Sequence, residues 1–373
     1  MATVDTASDS ALAPLLNRIR PAVRDRKPYI VDAPEDAEVK LNQNESPYDL
    51  PADVKREIAD RVMQIPFNRY PSEQPRRLIR ALADYTGHPA EGIIVGNGSN
   101  ELTYTFGMTM IDPGTPVVLP RPMFSLYEKV VRISGGDLVS VGPRNDLSFD
   151  TAGLIAAIRE SDPAMTIITS PNNPTGRAMP LGDIARIVEE ASGFVVVDEA
   201  YAEFNPEETA QTLMAEHPNV ILLRTFSKGI GLAGLRVGYL MAHPAVAREI
   251  MKARLPFMVD PIAEATALAV LARPGLIRER VEQMNAAREQ LETGLRAMKG
   301  VEVVPSRANF VLFETALPAS ELTARMAERG VIIRDMSGYD ELPHHVRVNA
   351  GTPAENKAFL AALDNTLYEN DSA

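Results

Sequence analysis

Residues 194–201 read Phe194-Val-Val-Val-Asp198-Glu199-Ala-Tyr201, four apolar residues running straight into two carboxylates and a tyrosine. A short unbroken apolar run suits a strand buried on both faces, as in parallel sheets covered by helices. A carboxylate at the end of such a strand is costly to bury unless it meets a positive partner. Asp198 is therefore placed for such a partner, with a metal ligand or a helix cap formed together with Glu199 as the alternative.

Four further apolar runs, at 93–95, 117–119, 166–169 and 220–223, each give way at once to a polar or glycine-rich segment. These segments are Gly96-Asn-Gly-Ser99-Asn100-Glu101, Pro120-Arg-Pro-Met-Phe124, Ser170-Pro-Asn-Asn173-Pro-Thr-Gly176 and Arg224-Thr225-Phe-Ser227-Lys228. Amphipathic stretches separate the runs, and the helix after the first loop is expected from Leu102 onward. The alternation predicts an α/β fold, a large three-layer α/β/α domain with a mostly parallel sheet. Open sheets of this kind bind ligands beyond the carboxyl ends of their strands, where all five loops would converge.

Past residue 255 the texture changes. Helices are expected at 273–298, 319–329 and 354–367, and strands at 301–304, 310–313, 331–333 and 346–348, giving a smaller α+β C-terminal domain. The expected organisation is an N-terminal arm over 1–45, a large domain over 46–255 and a small domain over 256–373.

The chain has 373 residues, 45% hydrophobic and 24% charged, enough to bury a large core. A net charge of −12 argues against a general binder of nucleic acid or acidic membrane and favours a small ligand. The absence of cysteine excludes disulfides, thiolate metal sites and cysteine nucleophiles. Five scattered histidines show no metal-ligand spacing, so no metal is expected. The start MATVDTASDS lacks the features of a signal peptide, and no apolar stretch approaches the roughly 18 residues that span a bilayer, so cytoplasmic residence is expected.

Lys228 lies between hydroxyl residues and is followed by Arg236. Most lysines are solvated and inert, but burial or nearby cations lower the pKa of an amine until it becomes nucleophilic. Thr225, Ser227 and Arg236 carry the hydroxyls and guanidinium that hold a phosphate, unless the two hydroxyls only cap a turn. The amides near Ser99 and Asn100 open a helix and suit an anion, although a lone glycine-rich loop is a weak signal.

With Pro171-Asn-Asn173-Pro-Thr-Gly176, Asp198-Glu-Ala-Tyr201, Ser227-Lys228 and Arg236 in this order, the chain resembles the class I/II aminotransferases of fold type I over nearly its whole length. Asn42-Gln-Asn44-Glu-Ser-Pro47, Arg69-Tyr70-Pro71 and Val346-Arg347-Val-Asn-Ala-Gly351 are similar to further landmarks of that family. The resemblance implies pyridoxal 5'-phosphate as cofactor. Lys228 would hold it covalently, Asp198 would pair with its pyridine nitrogen, and Asn173 and Tyr201 would bond its 3-hydroxyl oxygen. Ser99, Asn100, Thr225, Ser227 and Arg236 would surround its phosphate, and Phe124 would stack on its ring or anchor the core. Many relatives carry tyrosine at that position, so its hydrogen bond is lacking here.

Arg347 resembles the arginine that grips a substrate carboxylate. Tyr70 resembles the tyrosine that reaches the neighbouring subunit's cofactor phosphate, which implies a homodimer with sites at the interface. Within the superfamily the chain looks most like the histidinol-phosphate aminotransferases. There Tyr29, in the arm, and Arg334 are candidates for the substrate's distal phosphate, with Asn44 nearby; Tyr29 serves equally as a staple holding the arm. The implied substrates are an amino donor, L-histidinol phosphate, and a 2-oxo acid, 2-oxoglutarate. Aromatic amino-acid aminotransferases and threonine-phosphate decarboxylases share most of these signatures. A cofactor-sensing regulator would need a DNA-binding helix-turn-helix, and no basic recognition helix is evident before Leu41.

Overall fold

The computed structural model describes residues 12–26, 28 and 37–368. Its strands, in chain order, are β1 (Val39–Lys40), β2 (Ile93–Asn97), β3 (Pro116–Pro120), β4 (Asp137–Val141), β5 (Met165–Thr169), β6 (Phe194–Asp198), β7 (Val220–Thr225), β8 (Val237–Met241), β9 (Glu302–Val304), β10 (Phe310–Glu314), β11 (Val331–Ile332), β12 (Arg334–Asp335) and β13 (His345–Asn349). Seven of them form one sheet in the order β2-β8-β7-β6-β5-β3-β4. Strands β3 to β7 pair in parallel, whereas β8 runs antiparallel to both β7 and β2.

Alternate residues of each central strand face opposite layers. Val195, Val197, Val220, Leu222, Val237 and Tyr239 enter one core with the helices Arg76–Thr86, Leu181–Glu190 and Pro261–Leu271. Val196, Ile221, Leu223 and Leu240 enter the other, against Leu102 and Phe106 of the helix Gly98–Met110 and Tyr127 and Val131 of the helix Leu126–Ser134. Apolar on both faces, these strands cannot be exposed, which is why they read as unbroken hydrophobic runs.

The smaller unit is an antiparallel sheet, β12-β13-β10-β9, with the helices Ala319–Glu328 and Pro353–Tyr368. Residues ahead of the large sheet also join it, since β1 pairs in parallel with β11. The helix Pro274–Arg296 links the two units: Ile277 is part of the large core, while Leu291 and Leu295 are part of the small one.

Every strand run expected in the large domain is present. Strands β4 and β8 are additions, and the helix expected from Leu102 begins at Gly98, which puts Ser99 and Asn100 in its first turn. No helix among the described residues is long and apolar enough to cross a membrane.

Candidate active site

A cleft of about 860 Å³ opens at the carboxyl ends of the parallel strands. Lys228, Asp198, Tyr201, Asn173, Phe124, Ser99, Asn100, Thr225, Ser227, Arg236, Asn44, Arg334 and Arg347 all line it. Of the remaining expected positions, Tyr29 lies outside the described residues. Tyr70 lies apart from this cleft, 85% exposed, with its ring stacked on Phe257 at 5.0 Å.

Lys228 keeps partial exposure toward the cleft, and its Nζ donates to the carbonyl of Gln43 at 2.9 Å. Burial, then the Arg347 guanidinium, pull its pKa down to about 7, with Glu45 opposing and Arg236 adding a further downward pull. Near neutral pH a large share of this lysine is therefore uncharged and nucleophilic.

Asp198 ends β6 almost fully buried. Tyr127 donates to its Oδ2 at 2.7 Å and the Ala200 amide to its Oδ1 at 2.9 Å. Burial raises its pKa to about 6 in spite of these two donors, so it favours a cationic partner in the cleft. Of the alternative roles, Glu199 takes that of a cap, on the short helix Ala210–Ala215, and its ion pair with Arg224 leaves it no part as a metal ligand beside Asp198. Glu199 accepts from Nε and a terminal nitrogen of Arg224 at 2.9 and 2.8 Å and from the Ala210 amide at 2.7 Å, so its carboxylate is already used.

The anion cradle forms where β7 turns back into β8. The Ser227 amide donates to Thr225 Oγ1 at 3.1 Å, and Arg236 donates to Ser227 Oγ at 3.3 Å. The first turn of the helix Gly98–Met110 closes the cradle from below. Gly98 has φ +73°, and a Cβ there would stand 2.4 Å from an Arg236 nitrogen; a Cβ on Gly238 would stand 2.3 Å from the Ser99 amide. Only glycine at these two positions lets backbone amides and a guanidinium converge on one point.

Asn44 holds the opposite wall. It adopts φ 55°, donates through Nδ2 to the Tyr201 hydroxyl at 2.8 Å, and receives the Asn309 amide on its carbonyl at 3.2 Å. Arg347 donates to Asn173 Oδ1 and, at 2.9 Å, to the carbonyl of Asn42, with its guanidinium 5.2 Å from the Phe310 ring. It stands opposite Arg334 in the β12–β13 ladder.

A family model described as "Aminotransferase class I and II" matches residues 36–363. The chain belongs to the class I and II aminotransferases. A curated relative from Chlorobium phaeovibrioides, named histidinol-phosphate aminotransferase, is 38% identical over 349 residues, 94% of this chain and 97% of its own length. One of the same name from Chlorobaculum tepidum is 39% identical over 92% of this chain and 99% of its own. The crystal structure of histidinol-phosphate aminotransferase from Sinorhizobium meliloti in complex with pyridoxal-5'-phosphate superposes with a TM-score of 0.85 at 26% identity, covering 95% of this chain and 98% of that one.

Pyridoxal 5'-phosphate is the cofactor of this aminotransferase. The cleft fits it on its own terms: a cradle open only because Gly98 and Gly238 lack side chains, a buried carboxylate in want of a cation, and an amine with a lowered pKa. Three residues of the site escaped the sequence reading. Tyr127 aims the Asp198 carboxylate, the Gln43 carbonyl anchors Lys228, and Asn172 donates to the carbonyl of Pro122 at 2.9 Å, tying down the loop that carries Phe124. A tyrosine at helical spacing after Phe124 was the one signal for Tyr127. The other two partners are a backbone carbonyl and a loop-to-loop bond, which leave no trace in residue type.

Proposed function

We propose that this aminotransferase moves the amino group of L-histidinol phosphate to 2-oxoglutarate, giving imidazole acetol phosphate and L-glutamate, a step of histidine biosynthesis. The observation that carries the substrate choice is a second cationic locus. Besides the cradle of Ser99, Asn100, Thr225, Ser227 and Arg236, the cleft holds Arg334 and Arg347 on facing strand positions. Two guanidiniums suit a substrate phosphate in one half-reaction and a dicarboxylate in the other. The names of the similar curated proteins point the same way.

In this reading the cradle residues hold the cofactor phosphate, Asp198 pairs with the pyridine nitrogen, Asn173 and Tyr201 bond the 3-hydroxyl oxygen, and Phe124 covers a ring face. When bound, the cofactor supplies an electron sink that stabilises negative charge at the substrate α-carbon. Lys228 holds the cofactor covalently at rest. Its amine, with a pKa near 7, would serve as the base that accepts and returns the proton at the substrate α-carbon. Arg347, braced by Asn42 and Asn173, orients the anionic end of the substrate, and Arg334 and Asn44 complete that end.

The protein is further read as a cytoplasmic homodimer. Tyr70 at 85%, Met63 at 79% and Phe67 at 73% are exposed large apolar side chains close in the chain, which a second copy would cover, bringing Tyr70 to the partner's cofactor phosphate. Sedimentation of the holoenzyme tests this, and a monomer refutes it. Steady-state rates with histidinol phosphate, phenylalanine and threonine phosphate, each against 2-oxoglutarate, test the substrate. Preference for phenylalanine, or release of carbon dioxide from threonine phosphate, would replace this reading with one of its relatives.

A further inference from the structure

The segment joining Arg334 to Arg347 runs from the end of β12 at Asp335 to the start of β13 at His345 and folds over the mouth of the cleft, where Met336, Gly338 and Tyr339 line it. It is held at two points, the first an apolar cluster built mostly in the small unit, with Leu312 of β10 and Val304 of β9, to which the large domain adds Leu147. Met336 and Leu342 are buried in a cluster with Leu312, and Leu147 and Tyr339 pack against it. Beside that cluster, Arg121, in the loop that follows β3, meets carboxylates from two directions. Its Nε lies 3.2 Å from Oε1 of Glu128, on the helix Leu126–Ser134, and 3.2 Å from Oε1 of Glu341 in the joining segment. Asp340 stands 3.7 Å from a terminal nitrogen.

Arg121 is 25% exposed in its side chain and both glutamates 17%, so this triad is shielded from the screening that weakens surface pairs. The arrangement has a definite sense. Glu128 and Glu341 belong to different domains and would repel each other, and one guanidinium converts that repulsion into a tie. Ser125, four residues beyond Arg121, lies beside Tyr339 of the same segment, and its polar groups pull the Tyr339 pKa down against the rise that burial causes.

We propose that Arg121 is a positioning residue for the anion-binding end of the active site: by bridging Glu128 to Glu341 it fixes the hairpin whose two legs carry Arg334 and Arg347. The inference rests on the reading of those two arginines as the substrate's anion site. Without Arg121 the two carboxylates face each other, the hairpin lifts, and the arginines lose their registry with the cleft while Lys228 and the cofactor cradle stay in place. Binding of the anionic substrate weakens, and the chemical step at Lys228 is affected less.

The test uses the holoenzyme and its Arg121→Ala, Arg121→Lys and Glu341→Gln variants, with hydrogen exchange read by mass spectrometry over residues 334–347 and inorganic phosphate as the probe. In the wild type, phosphate slows exchange in this segment. In Arg121→Ala the segment exchanges faster without phosphate and needs about tenfold more phosphate for the same protection, and KM for histidinol phosphate rises by about the same factor, more than kcat falls. Arg121→Lys, which keeps the charge, restores part of the effect, and Glu341→Gln, the milder change, moves the same readouts in the same direction. Unchanged exchange and phosphate dependence in Arg121→Ala would overturn the proposal, as would a lower melting temperature with KM unaffected. Failure of the wild type to turn over histidinol phosphate would refute the substrate reading alone, and the exchange data would still decide the role of Arg121.

Discussion

Arg334 and Arg347 face each other across the β12–β13 ladder, two like charges directly opposed at the mouth of the cleft. Like charges directly opposed repel, and an anion bound between them offsets that repulsion. Arg334→Gln is expected to raise KM for the phosphorylated donor about tenfold and to shrink the stabilisation that added phosphate confers. Calorimetry with and without phosphate, together with steady-state kinetics, checks both signs. A variant with unchanged KM and unchanged stabilisation by phosphate would speak against an anion site.

Tyr127 acts on the cofactor at one remove, through Asp198. Its hydroxyl is fully buried and has a carboxylate oxygen at 2.7 Å, and burial with that neighbour drives its own pKa well above the usual tyrosine value, so it stays a donor at all working pH. Tyr127→Phe leaves Asp198 with one donor fewer and is expected to cost about 1–3 kcal/mol of stability. It should also raise the Asp198 pKa further and lower kcat. An unchanged kcat in a destabilised Tyr127→Phe enzyme would confine Tyr127 to packing.

Asp198 gives the cofactor-free protein a pH-dependent stability. Its folded pKa of about 6 lies above the ordinary 3.8, so between these values the folded state binds the extra proton. Stability from this group is therefore present below about pH 4, falls as pH rises through about 6, and stays lost above that. Asp198→Asn removes the ionisation. Urea unfolding should show the variant gaining on the wild type by roughly 3 kcal/mol between pH 4 and pH 7, while transamination is abolished. A stability difference that does not vary with pH would show that the carboxyl ionises freely in the fold.

Lys228 must be uncharged to take up the cofactor, and its pKa near 7 places that requirement in the physiological range. The rate of cofactor uptake by the cofactor-free protein is expected to climb about tenfold from pH 6 to pH 8 and then level off. Because Arg347 is the strongest charged contributor to the lowered pKa, Arg347→Gln should move the midpoint upward. Stopped-flow absorbance of the lysine-bound cofactor reports this directly, and a profile flat across neutrality would contradict it.

The parallel strands were legible because each is apolar on both faces and stops at a polar loop, so composition alone marks where it ends. Strand β4 was not legible. It is the sheet's edge, and Asp137 and Ser140 interrupt its apolar run. Strand β8 was absorbed into the loop that precedes it, since Gly238 and the reversal after β7 look like turn chemistry. Ser99 and Asn100 were placed in a loop for a similar reason: glycine and asparagine are poor helix formers, and here the need for amides at the cradle overrides that preference.

Within the site, charged and aromatic side chains announced themselves by type. Their supports did not. The bond from Tyr127 to Asp198 spans 71 residues, and the Arg121 triad joins the loop after β3 to a segment of the other domain. Such pairings are fixed by the fold and by no local pattern.

The helix Pro274–Arg296 has one further consequence. Its 23 residues contribute Ile277 to the large core and Leu291 and Leu295 to the small one. Neither core can melt without stripping buried contacts from a rod that the other still needs. Heat should therefore dismantle the two sheets in one cooperative event. A glycine introduced near the middle of the same rod would weaken the link between the two units at a point between both cores.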